Sequence, residues 1–326
     1  MSARPLPAKD KLTLCFAHVA YRMGERFALR NAGIAWFEVR NLDDLKARIA
    51  EADVLLCSGL WRNELIPAAP RLAFIQSISA GTDQYSRDAL SAAGIRVASA
   101  QGANERAVAE HAIALILAMA RQIPEARDNQ TGKRWRGMIG DISKREDELG
   151  AKTLVIAGLG RIGSRLATLA KAFDMRVIAT RRDLSKGAGA ADKVVGEDGL
   201  LSVLPQADFV ALTCPLTPET ENLIDANALA AMKPSAYLVN VARGKVVNEP
   251  ALIDVLEQKR IAGAALDCVW DEPLPATSAL WSVPNVLITP HTAGETRRYE
   301  DNVIDLLLEN LERLWRGEAA LRNQFV

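Results

Sequence analysis

Short apolar runs alternate with helical segments along almost the whole chain, and this alternation limits the possible folds more than any other feature. Five strand-like runs lie in the first hundred residues: TLCFAHV, IAWFEVR, ADVLLCS, LAFIQSI and IRVAS. Six more follow, beginning with TLVIA at 153, RVIA at 176, FVAL at 209, AYLVN at 236, AGAAL at 262 and VLIT at 286. Because strands that alternate with crossover helices form parallel sheets, we predict an α/β fold with two doubly wound sheets.

Two helical segments indicate how the chain is divided. The stretch from Ala103 to Gln122 is apolar on nearly every face, so we predict a long buried helix with the first domain boundary near its start. The tail from Thr292 to Gly317 has apolar residues at three- and four-residue spacing and needs a partner surface. Because the second sheet is complete without it, we predict that this helix returns to the first domain. A chain of 326 residues suits two cores, and we expect one domain over 1–103 and 291–326 and another over 104–290.

Composition argues against several classes of protein. Acidic and basic residues number 40 each, so a polyanionic partner such as nucleic acid is not favoured. The longest apolar stretch, Ala107 to Ala120, contains Glu110 and His111 and is shorter than the about 20 residues that cross a bilayer, so we expect no membrane span. The N-terminus predicts a short tail and not a secretion signal. The four cysteines are widely spaced in apolar stretches, which favours a cytoplasmic location and no metal site.

A glycine motif directly follows the strand TLVIA and precedes a helical stretch. Its residues are Gly158, Leu159, Gly160, Arg161, Ile162 and Gly163. In this strand–turn–helix context the spacing indicates a dinucleotide-binding loop. The first glycine permits the tight turn, the second lets backbone N–H groups approach a pyrophosphate, and the third allows close helix–strand packing. The alternative is a glycine turn without a ligand.

The end of the next strand indicates which dinucleotide is preferred. Thr180, Arg181 and Arg182 stand where an NAD-binding protein carries an Asp or Glu for the ribose 2′-hydroxyl. Two guanidiniums and a hydroxyl suit a 2′-phosphate, which an acidic side chain would repel. We therefore predict that NADP(H) is the preferred cofactor and that NAD(H) is possible. The alternative is that both arginines point to solvent, with Asp183 partly neutralising them.

Seven segments, in order, resemble those of the D-isomer-specific 2-hydroxyacid dehydrogenases, whose members include glyoxylate and hydroxypyruvate reductases. They are ISAGTDQY at 78, ANERAVAEHAIALILAMAR at 103, ELGAKTLVIAGLGRIG at 148, CPLTPETENLI at 214, LVNVARGKVVNEPAL at 238, ALDCVWDEPLP at 265 and TPHTAG at 289. The resemblance implies a Rossmann cofactor domain inserted into a flavodoxin-like substrate domain. It also implies hydride transfer between NADP(H) and a small 2-keto or D-2-hydroxy acid. Relatives are commonly homodimers through the cofactor domain, and the apolar helix at 107–120 is a candidate for that interface.

The resemblance assigns the chemistry to three side chains. Arg243 is expected to bind the substrate carboxylate and carbonyl, while Glu272 and His291 are expected to form the acid/base pair. Reduction of a 2-keto acid places negative charge on the carbonyl oxygen, so a proton donor and a cation are needed beside it. Histidine is the natural donor near neutral pH, and a neighbouring carboxylate favours its protonated form. Arg243 can hold a carboxylate through two parallel hydrogen bonds.

The same matching implies further contacts with the cofactor and the substrate. Asp267 is expected to fix the nicotinamide carboxamide, although an aspartate after a strand also caps turns. The remaining expected cofactor contacts are Cys214, Pro215, Thr220 and Val241. Backbone amides of Ala80 and Gly81 are expected to bind the substrate carboxylate. Leu60 and Trp61 are expected to form the pocket wall, with a core anchor as the alternative for the tryptophan.

Three histidines are present, and their positions differ. His18 lies in the first strand and His111 near the start of the long helix, so we interpret both as structural. His291 follows a strand end, which is where α/β sites assemble.

Among related activities, glyoxylate or hydroxypyruvate reduction fits better than phosphoglycerate oxidation, because many phosphoglycerate dehydrogenases carry an extra regulatory domain. Formate dehydrogenases of this superfamily lack the Glu/His pair. Two alternatives stay open: an NAD-linked enzyme of the D-lactate type, and a dinucleotide-sensing binding protein similar to the corepressors of this family.

Overall fold

The computed structural model describes residues 4–283 and 285–326. The chain divides into two compact units: unit 1 comprises Met1–Asn104 and Glu295–Val326, and unit 2 comprises Glu105–Gly294. The sequence analysis predicted these two domain boundaries after residues 103 and 290.

The described residues form ten α-helices and twelve β-strands. The helices are α1 Met23–Ala28, α2 Leu42–Arg48, α3 Arg87–Ala92, α4 Glu105–Ala120, α5 Ile123–Thr131, α6 Arg161–Lys171, α7 Leu200–Val203, α8 Ala226–Ala231, α9 Glu249–Glu257 and α10 Tyr299–Trp315. The strands are β1 Thr13–Ala17, β2 Ala35–Val39, β3 Val54–Cys57, β4 Phe74–Ser77, β5 Arg96–Ala98, β6 Thr153–Ala157, β7 Arg176–Thr180, β8 Lys193–Val195, β9 Phe209–Leu212, β10 Tyr237–Asn240, β11 Gly263–Leu266 and β12 Val286–Ile288.

Unit 1 is built on one parallel sheet with the strand order β2-β1-β3-β4-β5. This is the flavodoxin-like order, and all five strands were predicted. Ala17 pairs with both Val39 and Cys57, and Cys57 pairs with Ser77, so four strands end at one edge. The loops that follow these strands therefore emerge side by side.

Helix α10 completes the core of unit 1, as the apolar spacing of the tail predicted. Val303, Ile304, Leu307 and Leu311 are fully buried and belong to the same cluster as Leu14 and other residues on one face of the sheet. Each fully buried aliphatic side chain of this kind contributes about 1.5–3 kcal/mol. The two ends of the chain thus share one hydrophobic core.

Unit 2 is built on a seven-stranded parallel sheet with the order β12-β11-β10-β9-β6-β7-β8. The six predicted strands are confirmed, and together with unit 1 they confirm the predicted α/β fold with two parallel sheets. Strand β8 was missed. It is a three-residue edge strand whose residues are only partly buried, so it lacks the dense apolar run that marks the interior strands.

Helix α4 is buried inside unit 2, where it packs against α6, β10 and β11. Val108, Ala109, Ala112 and Ile116 lie in the core, whereas Ala114 on the opposite face is exposed. The dimer contact suggested for this helix therefore stays a prediction. The segment that follows contains α5. No single helix among the described residues is long and apolar enough to cross a membrane. The pair of α4 and α5, bent by 66°, meets that test only jointly, by length and composition.

Candidate active site

The strands of unit 2 end in one row, which brings most of the predicted site residues to a single sheet edge. Ile288 pairs with Leu266, Leu266 with Asn240, and Asn240 with Leu212. Ala157 pairs with Leu212 on one side and with Thr180 on the other. The glycine motif, the arginine pair and the three candidate catalytic residues all follow strands of this row. Carboxyl ends of parallel strands are where α/β proteins bind their ligands.

The glycine motif forms a tight turn between β6 and α6. Gly158 has φ +100°, and a Cβ atom on it would lie 2.8 Å from the Cα of Cys214. The N–H of Ser164 bonds to the carbonyl of Gly160, so the amides of Arg161, Ile162 and Gly163 precede the first hydrogen bond within the helix. Among residues 4–283 and 285–326 these three amides donate to no protein acceptor, which suits a phosphate group.

Thr180 and Arg181 hold the glycine turn in place. The Thr180 hydroxyl accepts from the N–H of Gly158 at 3.1 Å. The Arg181 guanidinium donates to the carbonyl of Leu159 through Nε at 3.0 Å and Nη2 at 2.6 Å, and to the carbonyl of Gly187 at 2.5 Å. Three of the five guanidinium N–H groups are thus bonded to the backbone. The expected contact of Arg181 with the cofactor stays a prediction.

Arg182 has a different environment. Its side chain is 64 % exposed and lies 3.3 Å from the Glu197 carboxylate. Hydrogen bonds from the Thr217 side chain and the Glu219 backbone lower the pKa of Glu219, and the positive charge of Arg182 lowers it further. Of the two arginines, Arg182 is the one whose guanidinium is accessible.

The loop after β9 carries three of the expected cofactor contacts. Cys214 is buried against Gly158, and burial raises the pKa of its thiol to about 11. Pro215 is exposed, and its carbonyl accepts from the Thr220 hydroxyl at 2.7 Å. Val241, after β10, is buried and donates its N–H to the carbonyl of Leu212. Pro215 is therefore the most accessible of the four.

His291 and Glu272 form a direct hydrogen bond. The distance between His291 Nδ1 and Glu272 Oε2 is 2.6 Å, and the two side chains are 42 % and 37 % exposed. The other carboxylate oxygen of Glu272 accepts from the N–H of Val269 at 3.1 Å. His291 itself has φ +55°, a left-handed conformation that is uncommon for a residue with a side chain.

The Glu272 carboxyl stays ionised at neutral pH. Burial alone would raise its pKa, but the hydrogen bond and charge of His291, the N–H of Val269 and the charge of Arg243 lower the pKa below its ordinary value. A carboxylate accepts only, so the proton in this pair lies on Nδ1 of the imidazole. Nε2 is then the nitrogen that can exchange a proton with a ligand.

Arg243 lies close enough to Glu272 to influence its pKa. Its side chain is partly buried and donates through Nη1 to the carbonyl of Ala242 at 2.8 Å. The next residue, Gly244, allows the loop to approach the loop after β11, since a Cβ there would lie 1.9 Å from the carbonyl oxygen of Val269. The sequence predicted that Arg243, Glu272 and His291 converge, and the structure brings all three to the end of β10, β11 and β12.

Asp267 is almost fully buried and is bonded to the chain around His291. Its Oδ1 accepts from the Thr289 hydroxyl at 2.6 Å and from the N–H of Thr292 at 3.0 Å, and its Oδ2 accepts from the N–H of Ala293 at 3.1 Å. His111 reaches the same cluster, with Nε2 at 2.9 Å from Thr289 Oγ1. The turn-capping interpretation of Asp267 thus describes its contacts in this structure.

Two residues of this cluster were missed by sequence reasoning. His111 was interpreted as an isolated structural histidine, and Thr289 was not singled out. The available signal was that TPHTAG and AVAEH both belong to the segments that match the family. Their proximity depends on how α4 packs against the sheet, which no local pattern encodes.

In unit 1 the predicted substrate residues follow β3 and β4. The amides of Ala80 and Gly81 donate to no protein acceptor within residues 4–283 and 285–326, so they can bind an anion. Leu60 is partly buried. Trp61 is 1 % exposed, packs in the core with Tyr85 and donates to the Asn63 side chain. The expectation that Trp61 lines a pocket is therefore wrong, and the core-anchor alternative is correct.

Within the described ranges, no group of three or more His, Cys, Asp or Glu side chains is arranged to hold a metal ion.

Comparison with known proteins identifies similar chains. Residues 113–293, more than half of the chain, match the family model described as "D-isomer specific 2-hydroxyacid dehydrogenase, NAD binding domain". A glyoxylate reductase of Aeropyrum pernix is 36 % identical over 281 residues, which cover 84 % of this chain and 82 % of the relative. A D-3-phosphoglycerate dehydrogenase of Mycobacterium bovis is 35 % identical over 287 residues, 87 % of this chain. The chain spans about half (53 %) of the length of that relative.

A solved structure shares this fold over most of the chain. It is the NADPH-dependent glyoxylate/hydroxypyruvate reductase of Sinorhizobium meliloti in complex with NADP and malonate. The TM-score is 0.82 at 26 % identity, with 97 % of each chain covered. Since glyoxylate reductases and phosphoglycerate dehydrogenases match at nearly equal identity, identity alone does not separate the two substrates.

Proposed function

The chain belongs to the D-isomer-specific 2-hydroxyacid dehydrogenase family, and on this premise we propose that it is an NADP(H)-preferring reductase of small 2-keto acids, with glyoxylate and hydroxypyruvate as its best substrates. The observation that carries the proposal is the 2.6 Å bond between His291 Nδ1 and Glu272, at the sheet edge that also holds the glycine turn. A histidine held by a carboxylate, on the same sheet edge as a dinucleotide-binding loop, can serve as the proton donor that carbonyl reduction needs.

The residues present fit a dinucleotide. Gly158 is in a conformation that a side chain would strain, a Cβ on Gly160 would meet open space, and the first amides of α6 are free. These groups would hold the pyrophosphate. When bound, the nicotinamide supplies the hydride for reduction and accepts it in the reverse direction.

The protein side of the reaction is proton transfer and charge stabilisation. The His291 imidazolium, held through Nδ1 by the ionised Glu272, donates the Nε2 proton to the carbonyl oxygen as negative charge develops there. Arg243 binds the carboxylate of the keto acid and stabilises the developing oxyanion. In the reverse direction neutral Nε2 removes the hydroxyl proton, and Nδ1 stays bonded to Glu272 throughout.

Turnover tests this proposal directly. Purified protein with NADPH and either glyoxylate or hydroxypyruvate is expected to lose nicotinamide absorbance, and both substrates should give a higher kcat/KM than pyruvate. D-3-Phosphoglycerate with NAD+ or NADP+ provides the comparison suggested by the longer relatives. Binding of NADPH without turnover of any 2-keto acid would instead support a dinucleotide-sensing protein.

Cofactor preference rests on the end of β7. No acidic side chain occupies residues 180–182, and Arg182 is the accessible cation there. A charge-assisted hydrogen bond contributes about 1.5–3 kcal/mol, so Arg182→Gln should lower kcat/KM for NADPH by about ten- to a hundredfold while changing that for NADH little. An unchanged ratio of NADPH to NADH would contradict the assignment, and a higher kcat/KM for NADH in the wild type would favour the NAD-linked D-lactate alternative.

We assign the proposed homodimer contact to the segment 123–146, called the arm below. The arm carries four exposed apolar side chains, namely Ile123, Trp135, Met138 and Ile142, and borders a cavity of about 600 Å³. It contains both cationic and acidic side chains, which suits contact with a second copy of itself.

Trp135→Asp should shift sedimentation from dimer to monomer, whereas Trp281→Asp, at another exposed tryptophan, should not. A wild-type monomer would overturn the assignment.

The four cysteines are buried free thiols, which supports a reducing compartment and the proposed cytoplasmic location.

A further inference from the structure

The turn that carries His291 is fixed by one buried carboxylate and by a backbone hydrogen bond. Asp267 accepts the N–H groups of the two residues that follow the histidine, Thr292 and Ala293. On the preceding side, the N–H of His291 donates to the carbonyl of Thr289 at 2.9 Å. This turn holds a left-handed histidine, φ +55°, a strained conformation that the surrounding contacts must offset.

The direction of each hydrogen bond in the cluster follows from the carboxylate. Asp267 can only accept, so the single hydroxyl hydrogen of Thr289 points to Oδ1 at 2.6 Å. The Thr289 oxygen is then an acceptor for His111, whose Nε2 lies 2.9 Å away and must carry a hydrogen. The same Nε2 is 3.5 Å from Asp267 Oδ1. His111 therefore donates into a chain that ends on the carboxylate holding the turn.

We propose that His111 and Thr289 are positioning residues that orient Asp267 and thereby hold the imidazole of His291 against Glu272. The inference rests on the proposed role of His291 as the proton donor. It gives a task to a histidine that lies 178 residues before Thr289 in the chain. Neither residue touches the reacting atoms in this scheme, and both act through the backbone of the turn.

A conservative pair of substitutions at Thr289 tests the proposal kinetically. Thr289→Val removes the hydroxyl and keeps the shape, so kcat should fall by about ten- to a hundredfold because a small displacement of a catalytic group has an effect of that size. The KM for the keto acid should change little. Thr289→Ser restores the hydroxyl and should restore most of kcat. The same test applies to His111 at the other end of the network. His111→Phe removes the N–H donor and should lower kcat, whereas His111→Gln keeps a donor and should restore most of it.

The split between kcat and KM, with a matched control, separates positioning from a loss of stability. In Thr289→Val kcat should fall while the KM for the keto acid and the circular dichroism spectrum stay close to those of the wild type. Thr168→Val is the control, since the Thr168 hydroxyl bonds to the carbonyl of Ser164 on an exposed helix face. Full kcat in Thr289→Val would overturn the proposal. A loss of kcat that Thr289→Ser does not restore would also overturn it.

Imidazole ¹⁵N spectra provide a readout that does not require turnover. The sequence has three histidines, so each ring can be assigned by single substitution. Thr289→Val should move the ring signals of His111 and His291 and leave those of His18 in place. If the wild type reduces no keto acid but these signals move, the proposed function fails and the positioning network stands. If the His291 signals do not move, the network is refuted whatever the activity.

Discussion

The loop after β1 in unit 1 and the loop after β12 in unit 2 each place a histidine at the carboxyl end of a parallel strand. His18 Nδ1 accepts hydrogen bonds from the N–H groups of Ala20 at 3.1 Å and Tyr21 at 2.8 Å. His291 Nδ1 instead faces the Glu272 carboxylate at 2.6 Å. The two loops therefore fix the same ring nitrogen in opposite roles, as an acceptor in unit 1 and as a donor in unit 2.

The protonation of the two rings follows from these partners. Burial, and then the positive charge of Arg40, lower the pKa of His18 to about 4. Protonation of Nδ1 would also break both hydrogen bonds of the turn. His18 is thus a neutral structural residue at physiological pH, although its position at a strand end matches that of a catalytic histidine. A strand end supplies the place for a catalytic group, and the hydrogen-bond partner decides whether it can work as an acid.

The largest expected effect comes from removing one ring and then the other. His291→Ala should lower kcat by about two to four orders of magnitude, the usual contribution of a positioned acid/base group. His18→Gln should leave kcat close to that of the wild type, because this ring exchanges no proton at neutral pH. Steady-state kinetics with matched circular dichroism spectra would measure both. Equal losses in the two variants would remove the distinction between the loops.

A smaller effect is expected when the partner is changed and the ring is kept. Glu272→Gln retains an acceptor for Nδ1 but removes the negative charge, so kcat should fall by about ten- to a hundredfold. Steady-state kinetics at a fixed pH, with circular dichroism as a check on folding, would measure this loss. Wild-type kcat in Glu272→Gln would mean that the carboxylate only orients the ring.

The smallest effect concerns stability in acid. The folded-state pKa of His18, about 4, lies below its ordinary value of 6.5. The unfolded chain therefore binds the proton first, and the contribution of His18 is complete above pH 6.5 and is lost as the pH falls towards 4. With allowance for the partly exposed ring, the loss should be of the order of 1 kcal/mol by pH 5. Urea unfolding at several pH values should show a flatter dependence in His18→Gln, and identical slopes would contradict this.

Most of the fold could be predicted because interior strands of parallel sheets are continuous apolar runs. The exceptions have physical causes. Strand β8 lies at an edge and is partly exposed, so its sequence lacks that signal. Helix α10 was predicted to begin near Thr292, but it begins at Tyr299. The amides of Thr292 and Ala293 are bonded to Asp267, so the helix starts only beyond this turn.

The candidate site was predictable where residue type and strand end coincide, as for Arg243, Glu272 and His291. The site was not predictable where a ligand and backbone groups can both bind the same side chain. Arg181 was assigned to a phosphate from its position, but its guanidinium bonds to carbonyls of Leu159 and Gly187. Such carbonyls carry no sequence signal, since every residue has one.

The return of α10 to unit 1 also bears on how the protein is synthesised. A ribosome that has released the first hundred residues has made all five strands of unit 1 but not the helix that covers Leu14 and Phe16. The continuous chain of unit 2 can fold before that helix emerges. The sheet of unit 1 cannot complete its core until then, so one apolar face stays exposed. We therefore expect nascent chains that stop before Tyr299 to bind chaperones through this face.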